Sequence, residues 1–246
     1  MKKIFCILCL LMSVQMGWAA DSLHIGFIGP MTGDFAQAGK EATRVLTLLA
    51  DDINGRGGLA GRKVELLIED DSNNPQKAIA AGKKLLFQSP VAVIGSQTST
   101  VTEALQGIFN DRKIIHISYG ATAVPLTGKG YRYFFRTCPQ NREQAKAAVK
   151  IIRKMKVKKV ALLQDDSLYG KDLADVMRTM MHNWMIEIVF DGSLKSGQPD
   201  YLTLVEKERA ASPELVFFTG YYPEAARILL ARDRLNWEIP FMSCDG

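Results

Sequence analysis

The sequence predicts an α/β protein of two lobes, each a parallel sheet flanked by helices, joined by a hinge. Three observations carry that expectation. Short apolar runs alternate with amphipathic stretches from residue 23 onward, which is the signature of repeated β-α-β units. The alternation falls into two series, divided by a stretch at 119–138 rich in Gly, Pro and Thr. Small and hydroxyl residues cluster just after several strands, where parallel sheets place their ligand loops.

Taken in order, residues 23–28 read as a strand and 35–53 as a long helix. A second strand covers 63–69, and a second helix covers 75–88. Asn74 caps that helix ahead of Pro75, whose fixed φ suits the first helical position. Residues 91–94 form a short buried strand, 99–110 a helix and 114–117 a strand. Beyond the divide come helix 142–155, strand 159–163, helix 170–183, strand 185–190, helix 201–210, strand 215–218, helix 224–232 and strand 241–242. The divide ends in the run Tyr131, Arg132, Tyr133, Phe134, Phe135. That run reads as the extended crossing between two Rossmann-like lobes, residues 21–138 and 139–246.

The N-terminus carries an address. Lys2 and Lys3 precede an apolar run at 4–14, and Gly17-Trp18-Ala19 offers small residues at the two positions a signal peptidase inspects. A secretory signal spanning residues 1–20 is therefore expected, cut after Ala19 or Ala20. An apolar core of roughly eleven residues is short for a bilayer, which needs about 20. The formal charge of +5 loses Lys2 and Lys3, so 29 basic residues (31 less 2) face 26 acidic ones. That balance, evenly scattered, argues against nucleic acid or a membrane surface as partner. Cys6 and Cys9 leave with the signal. For Cys138 and Cys244 an exported protein permits a bridge, and two isolated thiols are the other reading.

The loops after the strands hold the candidate site. Ser96, Thr98, Ser99 and Thr100 crowd one helix start, where hydroxyls and free N–H groups suit a carboxylate. Simple capping by Ser99 is the alternative. Gly120, Ala121 and Thr122 follow the fourth strand, and Thr122 could hold an anion or brace a turn. Tyr169 and Tyr221 follow strands of the second lobe, where a ring can close over a ligand or merely pack. Asp245, at the last strand's end, suits an ammonium group. Asp70, Asp71, Asp165 and Asp166 read as caps or solvated acids, and His116 as a satisfied core residue.

Enzyme chemistry finds no foothold. The chain has no G-x-G-x-x-G, no P-loop and no G-x-S-x-G elbow. His24, His116 and His182 stand alone, without a metal-ligand spacing. No cofactor or metal is expected.

Several segments together carry a resemblance: Ile28-Gly29-Pro30-Met31-Thr32-Gly33, Asn54-Gly55-Arg56-Gly57-Gly58, Asp70-Asp71-Ser72-Asn73-Asn74-Pro75, Val93-Ile94-Gly95-Ser96, Gly120-Ala121-Thr122 and Gly220-Tyr221-Tyr222-Pro223-Glu224. The chain resembles the type I periplasmic binding proteins of ABC transporters, in particular the leucine/isoleucine/valine-binding branch. The resemblance implies a monomeric, non-enzymatic periplasmic receptor that clasps a small amino-acid-like ligand by hinge closure. It would deliver that ligand to the membrane subunits of an ABC importer. A sensing module of the same fold, and a receptor for an amide- or urea-type ligand, are the alternatives.

By the same resemblance, Ser99 and Thr122 hold the ligand α-carboxylate with help from the backbone at Ala121. Gly120 offers a carbonyl to the ammonium, Asp245 pairs with that ammonium, and Tyr169 and Tyr221 touch the ligand on closure. Asn141 stands where the family often has Asp. Ala38 replaces an aromatic ring of the branched-chain binders, which enlarges the pocket unless Phe35 turns inward. Family members run on for about a third of their length past residue 246. The fold is therefore expected to be incomplete at the C-terminus, and the helices that would cover the first sheet to be missing if the chain is whole. Apolar surface on the first sheet is then expected to be exposed, and binding to be weak.

Overall fold

The structure is a computed structural model that describes residues 22–244. The signal segment and Asp245 lie outside those residues. Nine strands and seven α-helices of the described chain alternate as expected. The first lobe carries β1 (Leu23–Gly29), α1 (Ala36–Gly55), β2 (Val64–Asp70), α2 (Pro75–Phe87), β3 (Ala92–Gly95), α3 (Ser99–Asp111), β4 (Ile115–Ser118) and β5 (Phe134–Arg136). The second carries α4 (Asn141–Lys154), β6 (Lys159–Gln164), α5 (Leu168–Asn183), β7 (Glu187–Ser193), α6 (Leu202–Ala210), β8 (Leu215–Thr219), α7 (Tyr222–Arg234) and β9 (Phe241–Ser243).

Both sheets are parallel throughout, in the orders β2-β1-β3-β4-β5 and β7-β6-β8-β9. Register explains which side chains share a face. Leu67, Gly26, Val93, His116 and Phe134 pair in one row across the first sheet. This face meets α2 and α3, where Ile28, Leu85, Leu105 and Phe109 are fully buried. Ile68, Phe27, Ile94, Ile117 and Phe135 pair in the opposite row. That face is thinly covered: Ile68 is 41% exposed, Phe135 51%, and Leu48 of α1 69%.

The second sheet is covered on both faces. Leu162 and Phe217 pack with Leu173 and Met177 on one side. Leu163 and Phe218 pack with Val205 and Ile228 on the other. All of these are fully buried, so β6 and β8 read as unbroken apolar runs.

Local chemistry sets the turns. Asn74 accepts from the N–H groups of Gln76 and Lys77, and Pro75 opens α2, as expected. After α1, the side chain of Asn54 donates to the carbonyl of Val64 at 2.9 Å and accepts from its N–H at 2.7 Å. Gly58 turns with φ +80°, and a Cβ there would lie 2.1 Å from the carbonyl oxygen of Arg62. Only glycine fits that approach.

Three expectations are corrected. The aromatic run at 131–135 is not the crossing: Phe134 and Phe135 begin β5, which pairs with β4 as an edge strand. The chain then passes from Arg136 to α4 in four residues. Of the two readings for Asp71 and Asp165, solvation fails: both are almost wholly buried, and each accepts from backbone N–H groups just ahead of a helix. His116 is in the core but only half satisfied. Its Nε2 pairs with the carbonyl of Gly95 at 2.5 Å, while Nδ1 has no partner. Burial holds its pKa at about 4 despite that bond. Cys138 and Cys244 are thiols, and the Sγ of Cys138 donates to the carbonyl of Ala121 at 3.3 Å. Bridging was one of two readings, and no disulfide joins them. No described helix is long and apolar enough to cross a membrane.

Candidate functional site

Strand carboxyl ends from both sheets converge on one gap. From the first lobe, Phe35, Gln97, Tyr119, Gly120 and Thr122 line a cavity of about 260 Å³. From the second come Tyr169, Tyr221 and Tyr222. A more open mouth of about 440 Å³ adjoins it and shares Phe35 and Tyr221. The larger depression of about 800 Å³ beside Tyr201 and Lys207 is built from the second lobe alone and gathers none of the candidate residues. A gap lined from both lobes is the better site, because closure can then enclose a ligand.

The lobes touch across this gap. The ring of Phe35 meets Tyr221 edge-on at 5.2 Å and Tyr222 at 5.3 Å. Tyr222 donates its hydroxyl proton to the carbonyl of Asp34 at 2.5 Å. The N–H of Leu168 donates to the hydroxyl of Thr100 at 3.0 Å. Asp172 of α5 accepts from the N–H of Val124 at 2.9 Å and from the amide of Asn141 at 2.7 Å. Asn141 therefore works at the junction of the lobes and does not line the cavity. Phe35 is turned inward and is only 7% exposed.

The second-lobe rings are held by one buried acid. Asp165, at the loop after β6, accepts from the N–H of Ser167 at 3.0 Å, its hydroxyl at 2.5 Å, and the N–H of Tyr221 at 3.2 Å. Its carboxylate is wedged between two glycines. A Cβ on Gly170 would lie 2.1 Å from one oxygen, and a Cβ on Gly220 2.7 Å from the other. Burial pushes its pKa up to about 6, although these bonds pull it down. Tyr169 donates to Gln144 at 3.2 Å, and its ring lies 5.1 Å from that of Tyr221.

The first-lobe loops are less simple than a row of free hydroxyls. Thr98, not Ser99, occupies the cap position of α3, and no side chain caps it. Thr98 donates instead to Asn73 at 2.7 Å. The Oγ of Ser99 accepts from the N–H of Ala123 at 3.2 Å and stands behind the cavity wall, keeping its own proton to give. Ala121 is also behind the wall. Its N–H goes to Ser118 and its carbonyl to Arg136 and Cys138. Gly120, Thr122, Tyr169 and Tyr221 thus meet at the cavity, Ser99 and Ala121 brace it, and Asp245 lies outside the described residues.

Gln97, Tyr119 and Tyr222 also line the cavity; the sequence marked them only as members of the candidate stretches 95–99, 118–122 and 220–222 beyond β3, β4 and β8, and Tyr222 opens α7. Tyr119 stacks on Phe27 with centroids 6.1 Å apart. Next to it, burial raises Asp71 to about 6, with the Asp70 charge adding to the rise. Burial also raises Asp70, but bonds from Thr32, Ser72 and Met31 outweigh it and leave that acid at about 2. Among the described residues no group of three His, Cys, Asp or Glu could hold a metal.

Comparison with known proteins agrees with this architecture. A family profile described as periplasmic binding protein matches residues 22–245. The chain is 34% identical to an amino acid binding protein of Pseudomonas aeruginosa, covering 100% of this chain and 67% of that protein. It is 29% identical to a Leu/Ile/Val/Thr-binding protein of Salmonella typhimurium, covering 97% of this chain and 66% of that one. Among solved structures, the branched-chain amino acid transporter substrate-binding protein LivJ of Streptococcus pneumoniae, in complex with isoleucine, superposes with a TM-score of 0.83. Its identity is 28%, over 90% of this chain and 64% of that one. The chain thus spans about two thirds of the length of these relatives.

Proposed function

The chain belongs to the periplasmic binding protein family, and we propose that it is an exported receptor that captures an amino acid or amino-acid-like ligand between its lobes and passes it to an ABC importer. The observation that carries this reading is the cavity lined from both sheets at their carboxyl ends. In this reading Thr122 and the main chain at Gly120 take the ligand's charged end, braced by Ser99 and Ala121. Tyr169 and Tyr221 close over the remainder. Asp245 receives the ammonium group. Water leaves as the lobes meet, and polar contacts strengthen in the drier site. The receptor works as a monomer in the periplasm after removal of residues 1–20, and no chemical step is required of it.

Ligand-observed NMR with a panel of L-amino acids tests this, because it reads weak and tight binding alike. Saturation transfer to at least one amino acid, abolished by alanine at both Tyr169 and Tyr221, is expected. Transfer that survives both substitutions would remove the cavity from the proposal.

A further inference from the structure

The basic residues are not evenly scattered. Residues 146–159 hold seven of them and no acid, and all seven are exposed. Outside that stretch, 22 basic residues (29 less 7) face the 26 acidic ones. The whole positive excess therefore sits on the second half of α4 and the loop into β6. The argument against a membrane surface falls with the even scatter. Three acids border the stretch. Glu143 pairs with Lys146 at 2.6 Å, Glu187 stands opposite Lys159 in the sheet register, and Glu214 accepts from the N–H groups of Lys158 and Lys159. Among the described residues, Lys150, Arg153, Lys154 and Lys156 have no carboxylate within ion-pair reach.

Bulky apolar side chains stand among these charges. Trp184, where α5 ends, is 48% exposed, and Met185 next to it is 87% exposed. The guanidinium of Arg153 lies 3.6 Å from the centre of the Trp184 ring, which holds the ends of α4 and α5 side by side. Along α4, Ala147, Ile151 and Met155 follow at the four-residue spacing that keeps them on one side, and all three are exposed. A helix dipole favours cations in the last turn, which accounts for Arg153 and Lys154. It explains neither the other five cations nor the apolar groups between them.

We propose that this pole of the second lobe is a docking surface for an anionic lipid bilayer. Tryptophan and methionine enter the interfacial layer, while lysine stems carry their ammonium groups back to the lipid phosphates. An acidic peptide fits less well. It would seat in the depression of about 500 Å³ that holds Met180 and Trp184 between α4 and α5, and would leave Ile151, Met155 and Met185 uncovered. A bilayer covers them all. An exported receptor that serves a membrane importer meets such a surface, and in that respect the inference rests on the function proposed above. The pole lies at the amino ends of β6 and β7, whereas the ligand gap opens at the carboxyl ends. Lys159 and Asp165 bracket β6, roughly 20 Å apart along the strand, so docking leaves the gap unobstructed.

Co-sedimentation with vesicles tests this, using the chain without residues 1–20 so that its apolar N-terminus contributes nothing. The vesicles are equal parts of phosphatidylglycerol and phosphatidylcholine, or phosphatidylcholine alone. Binding to the mixed vesicles is expected, on the order of tenfold or more tighter than to the neutral ones, and weakened by salt. Each cation near the surface is worth about fivefold, so Lys150→Gln combined with Lys154→Gln is expected to lower binding on the order of 10- to 30-fold. Tryptophan emission should move to shorter wavelength on the mixed vesicles, and that shift should vanish in Trp184→Phe. Both variants are first verified as folded by their melting transitions. No binding to the mixed vesicles at low salt overturns the proposal. So do equal binding to neutral vesicles, unchanged binding by the lysine variant, and a shift that survives in Trp184→Phe. Poly-L-glutamate bound as tightly as the vesicles points to an acidic protein instead and also overturns it. None of these outcomes touches the amino-acid NMR experiment, so the receptor reading stands or falls separately.

Discussion

The ring of Phe35 stands edge-on to that of Tyr221 across the gap between the lobes, with centroids 5.2 Å apart and planes at 89°. One ring belongs to the loop before α1 and the other to the loop before α7, so the contact exists only while the lobes are together. An edge-to-face pair contributes about 0.5–1.5 kcal/mol beyond its buried area. Phe35→Ala is therefore expected to favour the open form and to lower ligand affinity by about three- to tenfold. Small-angle scattering should show a larger radius of gyration for the variant. An unchanged radius and affinity would refute the coupling.

The wedge of Asp165 between Gly170 and Gly220 predicts that neither glycine tolerates a methyl group. Gly170→Ala brings a carbon to 2.1 Å from the carboxylate and Gly220→Ala to 2.7 Å. Each is expected to cost about 1–3 kcal/mol of stability through overpacking. Asp165 shares the obstruction with the Thr219 carbonyl oxygen, 2.7 Å from a Gly170 Cβ, and with the Phe218 ring, 2.3 Å from a Gly220 Cβ, so Asp165→Ala should recover part of the Gly170→Ala loss in that double variant. Urea unfolding of the four proteins measures this, and purely additive losses would contradict it.

Glu208 gives a pH dependence whose sign can be worked out. It is fully buried, neither oxygen has a hydrogen-bond partner, and burial raises its pKa to about 8, with Arg232 only partly opposing. Unfolded, it ionises near 4.5. The folded state therefore keeps a proton that the unfolded state has lost, and this group's contribution is complete below about pH 4.5 and is lost as pH rises to about 8. Glu208→Met should raise stability relative to the parent by on the order of 3 kcal/mol at pH 7 and by much less near pH 4.5. Melting curves across that range decide it, and an equal gain at both ends would point to packing instead.

Ser99 shows how a site residue can matter without touching a ligand. Its hydroxyl accepts from the buried N–H of Ala123 at 3.2 Å. Ser99→Ala leaves that N–H unpaired, which costs about 1–3 kcal/mol. Hydrogen exchange at Ala123 should rise in the variant. Protection equal to the parent's would mean that another acceptor takes over.

The amino-acid order by itself determined the layered α/β plan, because strand and helix periods and turn chemistry are local. Asn74 before Pro75 announced α2, and the apolar runs at 159–163 and 215–218 announced β6 and β8. It also marked the loops from which the site is drawn, because in a parallel sheet all strand ends point the same way. Which members of those loops face the gap was decided only by tertiary structure. Ser99 and Thr122 carry the same kind of hydroxyl, yet one braces the wall and the other lines it. Nothing local distinguishes them, because that choice depends on where Ala123 falls after a turn 24 residues away. Phe35 could be read as turning inward or not until Tyr221, 186 residues further along, supplied the surface it packs against. Asp165 looked like an ordinary acidic pair member, and became a buried clamp only when Gly170 of α5 and Gly220 of the loop after β8 closed on it.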